Sequence, residues 1–331
     1  MNNLIDGVQG IDLRDIYKNG EIYRNVSSND ALTSRYHNHI VQEFKNNQDR
    51  DYSYWHPSEF GTCGRKQIFN YYNYNKSCGF SMPDYVAVRS IEIFQTGHNT
   101  HFKFQNALSR IKYPKPILYG WWKCQGCKNV MSKDVKPYGT TRIDVCSNCG
   151  SKSIIYEEVC VENKDYNVRG HCDAIIKLSD EHEFQIVDFK TAGGSAWESI
   201  EKENIPKNSY IVQLNAYMWL LGINSGYIMY EHRDKMWHKS FLVQKDNYVV
   251  ERIKHQLSYL NYHVAQGTVP PPNDQNFIAM SDVGPSKGIC RGYGGFGQSR
   301  LSPCRYYEKC WDQQYKEAGG SMMFDGFVKV G

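Results

Sequence analysis

The chain has 331 residues, of which 40% are hydrophobic and 22% are charged, and its formal net charge is +4. This composition is ordinary for a soluble globular protein. The small net charge excludes a surface that binds polyanions over its whole area, although it allows a local basic groove. No apolar run approaches the roughly 18 residues of a membrane span, and the amino terminus lacks the pattern of a secretory signal.

The helices are predicted from apolar residues at helical spacing. Residues 1–55 are polar, with helical patches near 11–18 and 30–46, and they are predicted to form an amino-terminal helical cap. Four longer helices are predicted at 58–72, 88–111, 207–222 and 246–266. Gly97 and His101 share one face of the second of these helices, and Pro270 stops the last one.

A small insertion and a sheet are predicted between these helices. Gly, Pro and paired cysteines break the pattern at 120–155 and indicate a separate small module. Strands are predicted at 156–163, 168–177, 183–190, 226–231 and 236–243. The order of the elements implies an α/β or α+β fold, with a mixed sheet flanked by helices. The predicted core is therefore 56–119 with 156–270, followed by a loop-rich tail at 271–331.

Five polar residues in these elements have the chemistry of a metal-dependent hydrolase. Asp173 lies in a predicted strand, and Asp188 and Lys190 lie two residues apart in another, so their side chains point to the same face. A pair of carboxylates can hold a divalent cation, and a lysine beside it can position water or stabilise charge on a phosphate. Gln213 and Tyr217 share one face of a predicted helix.

The order of the motifs adds a family resemblance. Four motifs follow one another along the chain: Gly97-x-x-x-His101, Gly170-His-Cys-Asp173, Asp188-Phe-Lys190 and Gln213-x-x-x-Tyr217. This series resembles the PD-(D/E)XK nucleases and is most similar to their RecB-type branch, over roughly residues 57–312. Each motif alone is weak, and their combination in this order is specific. The resemblance implies a restriction-endonuclease-like core with a mixed central sheet flanked by helices.

The resemblance also assigns roles to individual residues. The ligands that it implies for Mg²⁺ or Mn²⁺ are His101, Asp173, Asp188 and the backbone carbonyl of Phe189. Lys190 would orient or activate the attacking water, and Gln213 and Tyr217 would position the phosphate or Lys190. His98 and His171 are nearby competitors for metal ligation. A nitrogen ligand suits Mn²⁺ better than Mg²⁺.

The chain has eleven cysteines, and in a chain without an export signal paired cysteines favour metal sites over disulfides. Some RecB-type nucleases, including CRISPR-associated exonucleases and helicase–nuclease complexes, hold an iron–sulfur cluster with one cysteine before the core and three after it. The resemblance implies such a [4Fe–4S] cluster on Cys63, Cys290, Cys304 and Cys310. Thirteen residues separate Cys290 from Cys304, where the family usually has two. Ligand type alone leaves Zn²⁺ open at this site.

A second set of four cysteines lies in the insertion. Two Cys-x2-Cys pairs, separated by eighteen residues, match the spacing of a zinc ribbon: Cys124, Cys127, Cys146 and Cys149. Two such knuckles complete a tetrahedral sulfur cage for structural Zn²⁺. The insertion also carries basic residues that either contact phosphates or form a solvated surface: Lys123, Lys128, Lys133, Lys136 and Arg142. The remaining cysteines, Cys78, Cys160 and Cys172, are predicted to be buried small hydrophobes.

The expected function is that of a metal-dependent DNA exonuclease that acts on single strands or DNA ends in recombination, repair or replication. A structure-specific endonuclease, a non-catalytic nucleic-acid adaptor that uses the ribbon and a spacer-processing nuclease remain open. The chain has no Gly-x4-Gly-Lys-Ser/Thr loop, so a separate helicase or recombination protein would supply any unwinding. The glycine-aromatic stretch 291–297 is interpreted as a plain loop. The expected location is the cytoplasm of a bacterium or a virus-infected host cell, away from membranes.

Overall fold

The computed structural model describes residues 31–46, 50–60, 63–75, 88–270 and 322–323, which fall into two compact units. The smaller unit holds the helix Ala31–Asn46 and residues 88–93, and Ile40 and Ile91 are buried in it. The larger unit contains the other described residues. The predictions for 11–18 and 291–297 lie outside the described residues. No helix that is described has the length and hydrophobicity needed to cross a membrane.

The helices follow the predicted order with one addition. The described α-helices are α1 (Ala31–Asn46), α2 (Gly64–Tyr74), α3 (Val88–Ser109), α4 (Gly194–Glu203), α5 (Asn208–Leu221) and α6 (Asn247–Gln266). The helix predicted at 58–72 begins later, because Pro57–Glu59 forms a separate 3₁₀ turn. Helix α4 was not predicted, since two glycines precede most of its length. Helix α6 ends at the left-handed Gly267, ahead of Pro270.

The strands in the described part of the chain form four sheets. Their bounds are β1 (Leu118–Tyr119), β2 (Trp121–Cys124), β3 (Val130–Met131), β4 (Ile154–Glu157), β5 (Val159–Asn163), β6 (Val168–Cys172), β7 (Ala174–Ile176), β8 (Gln185–Ala192), β9 (Ser225–His232), β10 (His238–Gln244), β11 (Thr268–Val269) and β12 (Met322–Met323). The largest sheet has the order β1-β7-β8-β9-β10. Only β8 and β9 are parallel within it, so the central sheet is mixed, as predicted.

Strand β8 is the centre of the fold and carries Asp188 and Lys190. It is buried from Gln185 to Phe189, in keeping with its apolar sequence. Its parallel pairing with β9 places Lys190 beside Tyr230. A strand that is covered on both faces has little freedom to change register, so β8 is a rigid support for the side chains at its end.

The insertion packs on this central strand. Strands β2, β3 and β4 form an antiparallel sheet of their own. Trp122 and Tyr156 of that sheet belong to the same buried cluster as Phe104, Val187 and Phe189. The small sheet is therefore continuous with the hydrophobic core beneath the candidate site.

Candidate metal centre

Asp173 sits at a break between two strands. It lies between the end of β6 and the start of β7, where the chain passes from the two-stranded β5–β6 sheet into the central sheet. Its side chain is buried, and its Oδ2 accepts a hydrogen bond of 2.8 Å from the backbone N–H of Phe189. The break thus holds one carboxylate oxygen against the central strand and leaves the other for a ligand.

His101 reaches the same place from helix α3. Its Nδ1 lies 3.5 Å from Oδ1 of Asp173 and 4.0 Å from Oε1 of Glu158. Its Nε2 lies 3.0 Å from the carbonyl oxygen of Phe189. The imidazole therefore lies between two carboxylates and the backbone carbonyl of Phe189. The roles of His101, Asp173 and the Phe189 carbonyl as metal ligands stay predictions.

Glu158 is a member of this group that the sequence analysis missed. One ligand atom each from His101, Glu158 and Asp173 can lie within 4.8 Å of the others. Gln105 donates from Nε2 to Oε1 of Glu158 at 3.0 Å and to the carbonyl of Asp173 at 2.9 Å. Glu158 belongs to no motif. The only available signal was strand register, because Val159 pairs with Cys172 and so places Glu158 next to Asp173.

Asp188 and Lys190 form a second polar group on the adjoining stretch of β8. Nζ of Lys190 lies 2.8 Å from each carboxylate oxygen of Asp188. Gln213 donates from Nε2 to Oδ1 of Asp188 at 3.0 Å, so these three predicted residues do meet. The ammonium also lies 4.9 Å from the ring centre of Tyr210, another contact that the motifs did not indicate.

The remaining predicted residues lie around this centre. Tyr217 is buried, and its ring faces Gly170. Its role in positioning a phosphate or Lys190 stays a prediction. His98 and His171 are both exposed, and neither belongs to the group formed by His101.

Burial and mutual charge perturb the titration of these groups. Burial, reinforced by the charge of Asp188, raises the pKa of Asp173 to about 7, against the opposing effect of His101. Burial alone would lower the pKa of Lys190, but the carboxylates of Asp188 and Asp173 outweigh it and raise that pKa. Burial likewise opposes a charged His101, and the Asp173 and Glu158 carboxylates raise its pKa nonetheless.

These shifts fit a site for a hard divalent cation. The donors are carboxylate oxygens and one imidazole nitrogen. The oxygens suit Mg²⁺ or Mn²⁺, and the nitrogen makes Mn²⁺ the better fit. Buried carboxylates that repel one another are costly unless a positive charge compensates them. Burial and this repulsion are the reasons why the pKa of Asp173 is raised.

The pH dependence of metal binding follows from these pKa values. A proton on Asp173 competes with a cation, and its pKa is about 7. The apparent affinity for Mn²⁺ is therefore expected to fall as the pH drops below 7, by up to about tenfold per pH unit for each proton displaced. Titration calorimetry at pH 6, 7 and 8 measures this. An affinity that stays constant from pH 8 to pH 6 would show that Asp173 does not bind the metal.

Gly170 gives a prediction about packing behind the centre. A Cβ at this position would lie 2.8 Å from Cδ of Pro57 and 3.2 Å from the ring of Tyr217. We expect Gly170→Ala to lower the free energy of unfolding by about 1–3 kcal/mol through overpacking, as measured by urea denaturation. Gly97→Ala is the matched control, since a Cβ there meets nothing within 4 Å. This helical substitution should stabilise by about 0.5–1 kcal/mol, and an equal response to both changes would contradict the packing argument.

The four cysteines of the insertion meet in the small sheet. Their sulfurs lie within 4.8 Å of one another, with 3.5 Å between Sγ of Cys124 and Cys149 and 3.7 Å between Sγ of Cys127 and Cys146. Four sulfurs at about 2.3 Å from a tetrahedral Zn²⁺ lie about 3.8 Å apart. The structure thus brings the two Cys-x2-Cys pairs together into one four-sulfur group that could hold a metal ion. Zinc as its occupant stays a prediction.

The two cysteine pairs have the same local backbone. Cys124 accepts from the N–H of Lys128, and Cys146 accepts from the N–H of Gly150, both at 2.9 Å. Lys128 and Gly150 are left-handed, with φ of 63° and 71°. Each pair is therefore a tight knuckle that aims its two sulfurs at one point.

Three basic side chains of the insertion contact the protein itself. Lys123 pairs with Glu157 at 3.2 Å, Lys133 lies over the ring of Trp121, and Arg142 pairs with Asp144 at 3.1 Å. These contacts favour the interpretation of this surface as solvated. Among the other cysteines, Cys172 is buried, Cys160 is half-buried, contrary to the prediction, and Cys78 lies outside the described residues.

The predicted four-cysteine clamp involves the tail. Cys63 directly precedes helix α2 and is exposed. Cys290, Cys304 and Cys310 lie outside the described residues. The cluster that the resemblance implied therefore stays a prediction.

The comparisons with known proteins give low similarity. No family model and no curated protein matches the chain. An alkaline exonuclease from Laribacter hongkongensis is 16% identical with a TM-score of 0.27, over 32% of this chain and 54% of that chain. The same exonuclease in complex with dAMP is 12% identical with a TM-score of 0.33, over 64% and 88%. A phage-related exonuclease from Haemophilus somnus 129PT is 18% identical with a TM-score of 0.24, over 32% and 60%.

The first of these matches spans about half the length of the exonuclease. TM-scores this low establish neither a family nor an activity for this chain. The function is therefore inferred from the geometry of the metal centre.

Proposed function

We propose that this protein is a metal-dependent DNA exonuclease that hydrolyses phosphodiester bonds in single strands or at DNA ends. One observation carries the hydrolytic part of the proposal. His101, Glu158 and Asp173, whose ligand atoms lie close enough together to hold a cation, are next to the ion pair of Asp188 and Lys190. The exonuclease mode and a role in recombination, repair or replication are extensions of the motif resemblance.

The metal site would be formed by buried oxygens and one nitrogen. Asp173 and Glu158 would hold Mg²⁺ or Mn²⁺ together with His101. Ala174 pairs with Val187 across β7 and β8, which places Asp188 next to Asp173 in the sheet, and we propose that Asp188 completes the set. A cation bound there would supply positive charge beside the phosphate and make a bound water more acidic. Because the carbonyl of Phe189 faces Nε2 of His101, we propose that it orients the imidazole, as backbone carbonyls commonly do for metal-binding histidines.

Lys190 would act as a hydrogen-bond donor. The Asp188 and Asp173 carboxylates raise its pKa, so the ammonium can donate to a water or a phosphate oxygen. Asp188 and Tyr210 fix the position of this ammonium, and Gln213 in turn fixes Asp188. Charge that develops on the phosphate is stabilised most effectively by donors that are held in place before the reaction.

The two cysteine sets would act as structural clamps. We propose Zn²⁺ in the insertion, where the sulfur spacing suits it. For Cys63 and the three tail cysteines we keep the [4Fe–4S] cluster as a proposal that rests on the motif resemblance. Anaerobic purification with analysis of iron, sulfide and zinc tests both, and a colourless protein with zinc alone would count against the cluster.

Cleavage of defined substrates tests the proposed activity. The protein, supplied with Mn²⁺, is incubated with end-labelled single-stranded, double-stranded and covalently closed circular DNA, and with a matched RNA. An exonuclease degrades the linear DNA and leaves the closed circle intact. Nicking of the circle would favour the endonuclease alternative, and DNA binding without cleavage of any substrate would favour the adaptor.

A further inference from the structure

The outward face of the β5–β6 sheet runs directly away from the metal centre. Side chains alternate between the two faces of a strand. Val159, Val161 and Cys172 face the buried core, so the opposite face carries Glu158 of the metal group and, further along, Arg169 and His171. Arg169 precedes Asp173 by four residues, which is about 13 Å along an extended strand.

A third segment extends this face beside β6. Trp55 forms a parallel bridge with Val168, accepting from the N–H of Arg169 at 3.0 Å and donating to the carbonyl of Asn167 at 2.8 Å. Because Trp55 is buried, its neighbour Tyr54 points to the side of Arg169.

One arginine on this face and a second in the preceding segment lie over tyrosine rings. The guanidinium of Arg169 lies 5.5 Å from the ring centre of Tyr54, and that of Arg50 lies 5.5 Å from the ring centre of Tyr52. Within the described ranges, neither guanidinium has a carboxylate oxygen within 4.0 Å, whereas Arg142 does. Arg50 donates from Nη2 to the hydroxyl of Ser58 at 2.7 Å, and the neighbouring Cys160 thiol raises the pKa of Arg169. Because the guanidinium of Arg169 has five N–H donors and no acidic partner in that part of the chain, it retains donors for a phosphate.

We propose that this Arg–Tyr face binds the single DNA strand that continues from the cleaved phosphodiester. In this proposal, which rests on the proposed nuclease function, Arg169 contacts a backbone phosphate and Tyr54 offers its ring to a base. Aromatic rings and arginines beside a groove are the usual means by which proteins hold single strands without reading their sequence. The face is continuous with the metal group, so a strand leaving that group would pass His171 and reach Arg169.

The acidic groups nearby do not cancel this arrangement. Asp51 is held by Ser53, whose N–H and hydroxyl both donate to its Oδ1. Glu162 pairs in register with Arg169 across the sheet, yet no ion pair joins the two side chains in the described region. Glu162 therefore lowers the net positive charge of the face but forms no ion pair with the guanidinium of Arg169.

Binding measured without cleavage tests the proposal. Fluorescence anisotropy of a labelled single-stranded oligonucleotide in Ca²⁺ gives Kd for wild type, Arg169→Ala and Tyr54→Ala. We expect each alanine variant to raise Kd by about five- to a hundredfold, and Arg169→Ala to lower the salt slope by about one. Tyr54→Phe keeps the ring and should bind like wild type. Lys115→Ala, which removes a surface ion pair with Asp180 beyond the far end of β7, is the control for lost positive charge.

The outcomes separate this inference from the proposed function. If wild type cleaves DNA and both alanine variants bind as tightly as wild type, the inference is overturned and the function stands. If wild type binds but never cleaves, while the variants lose binding, the function fails and the inference stands. Hydrolysis of bis(p-nitrophenyl) phosphate by wild type and by Lys115→Ala reports an intact metal centre independently of DNA binding. Tyr54→Ala, compared with Tyr54→Phe, carries the test should Arg169→Ala fail to fold.

Discussion

Lys190→Gln is expected to lower DNA cleavage by about a hundred- to a thousandfold, the scale observed when a fixed donor to developing charge is removed. The structure places this ammonium 2.8 Å from both oxygens of Asp188 and against Tyr210, so glutamine can keep a hydrogen bond but not the charge. Single-turnover cleavage of a labelled oligonucleotide with Mn²⁺ measures the effect.

The same variant should keep its metal. Lys190 contributes no ligand, and its removal takes a positive charge away from the Asp188 and Asp173 carboxylates. The affinity for Mn²⁺, measured by titration calorimetry, is therefore expected to be equal to or higher than that of wild type. Lys115→Gln serves as the surface control. Cleavage within tenfold of wild type would remove Lys190 from the proposed mechanism.

Cys124→Ser is expected to have the largest effect on stability. This change removes one of four sulfur ligands, and structural zinc in small modules contributes apparent binding energies of the order of 10 kcal/mol. The zinc content should fall from about one per chain to none, and the melting temperature should fall with it. Cys160→Ser is the matched control, because Cys160 lies outside the four-sulfur group and its loss should leave the zinc in place.

The effect should extend to the metal centre. Glu158 directly follows β4, the strand of the small sheet that pairs with β2, and Cys124 ends β2. Loosening that sheet frees Glu158, so the affinity for Mn²⁺ is expected to fall by about tenfold, the lower end of what loss of a supporting group costs a metal site. A variant that loses zinc yet binds Mn²⁺ as wild type does would show that the two sites are independent.

Much of the centre could be predicted because its residues lie in regular elements. Asp188 and Lys190 alternate in an apolar strand, and Gln213 lies on a helix whose pattern is clear. The sequence thus indicated which residues share a face, and the structure brings these three into contact. The Cys-x2-Cys pairs could also be predicted, because four cysteines at this spacing are typical of a metal site and few other structures require it.

Other parts could not be predicted because they depend on tertiary register. Glu158 and Gln105 are single polar residues without a motif, and only the packing of α3 against the β5–β6 sheet brings them together. Cys160 was expected to be buried, but strand alternation places it on the same open face as Glu158. Two glycines stand at the beginning of helix α4 and disfavour a helix there. The apolar contacts of Trp197 with the core compensate for this unfavourable effect.

The closeness of the two ends of the insertion has a consequence for protein engineering. The ring of Tyr156 lies so near Gly120 that a Cβ there would be 2.4 Å away, and the hydroxyl of Tyr156 bonds to the carbonyl of Tyr119. A short linker could therefore bridge the gap if the intervening residues were excised. Such a trimmed variant would nevertheless uncover Phe104 and Val187, and we expect it to aggregate unless polar substitutions are introduced on the newly exposed surface.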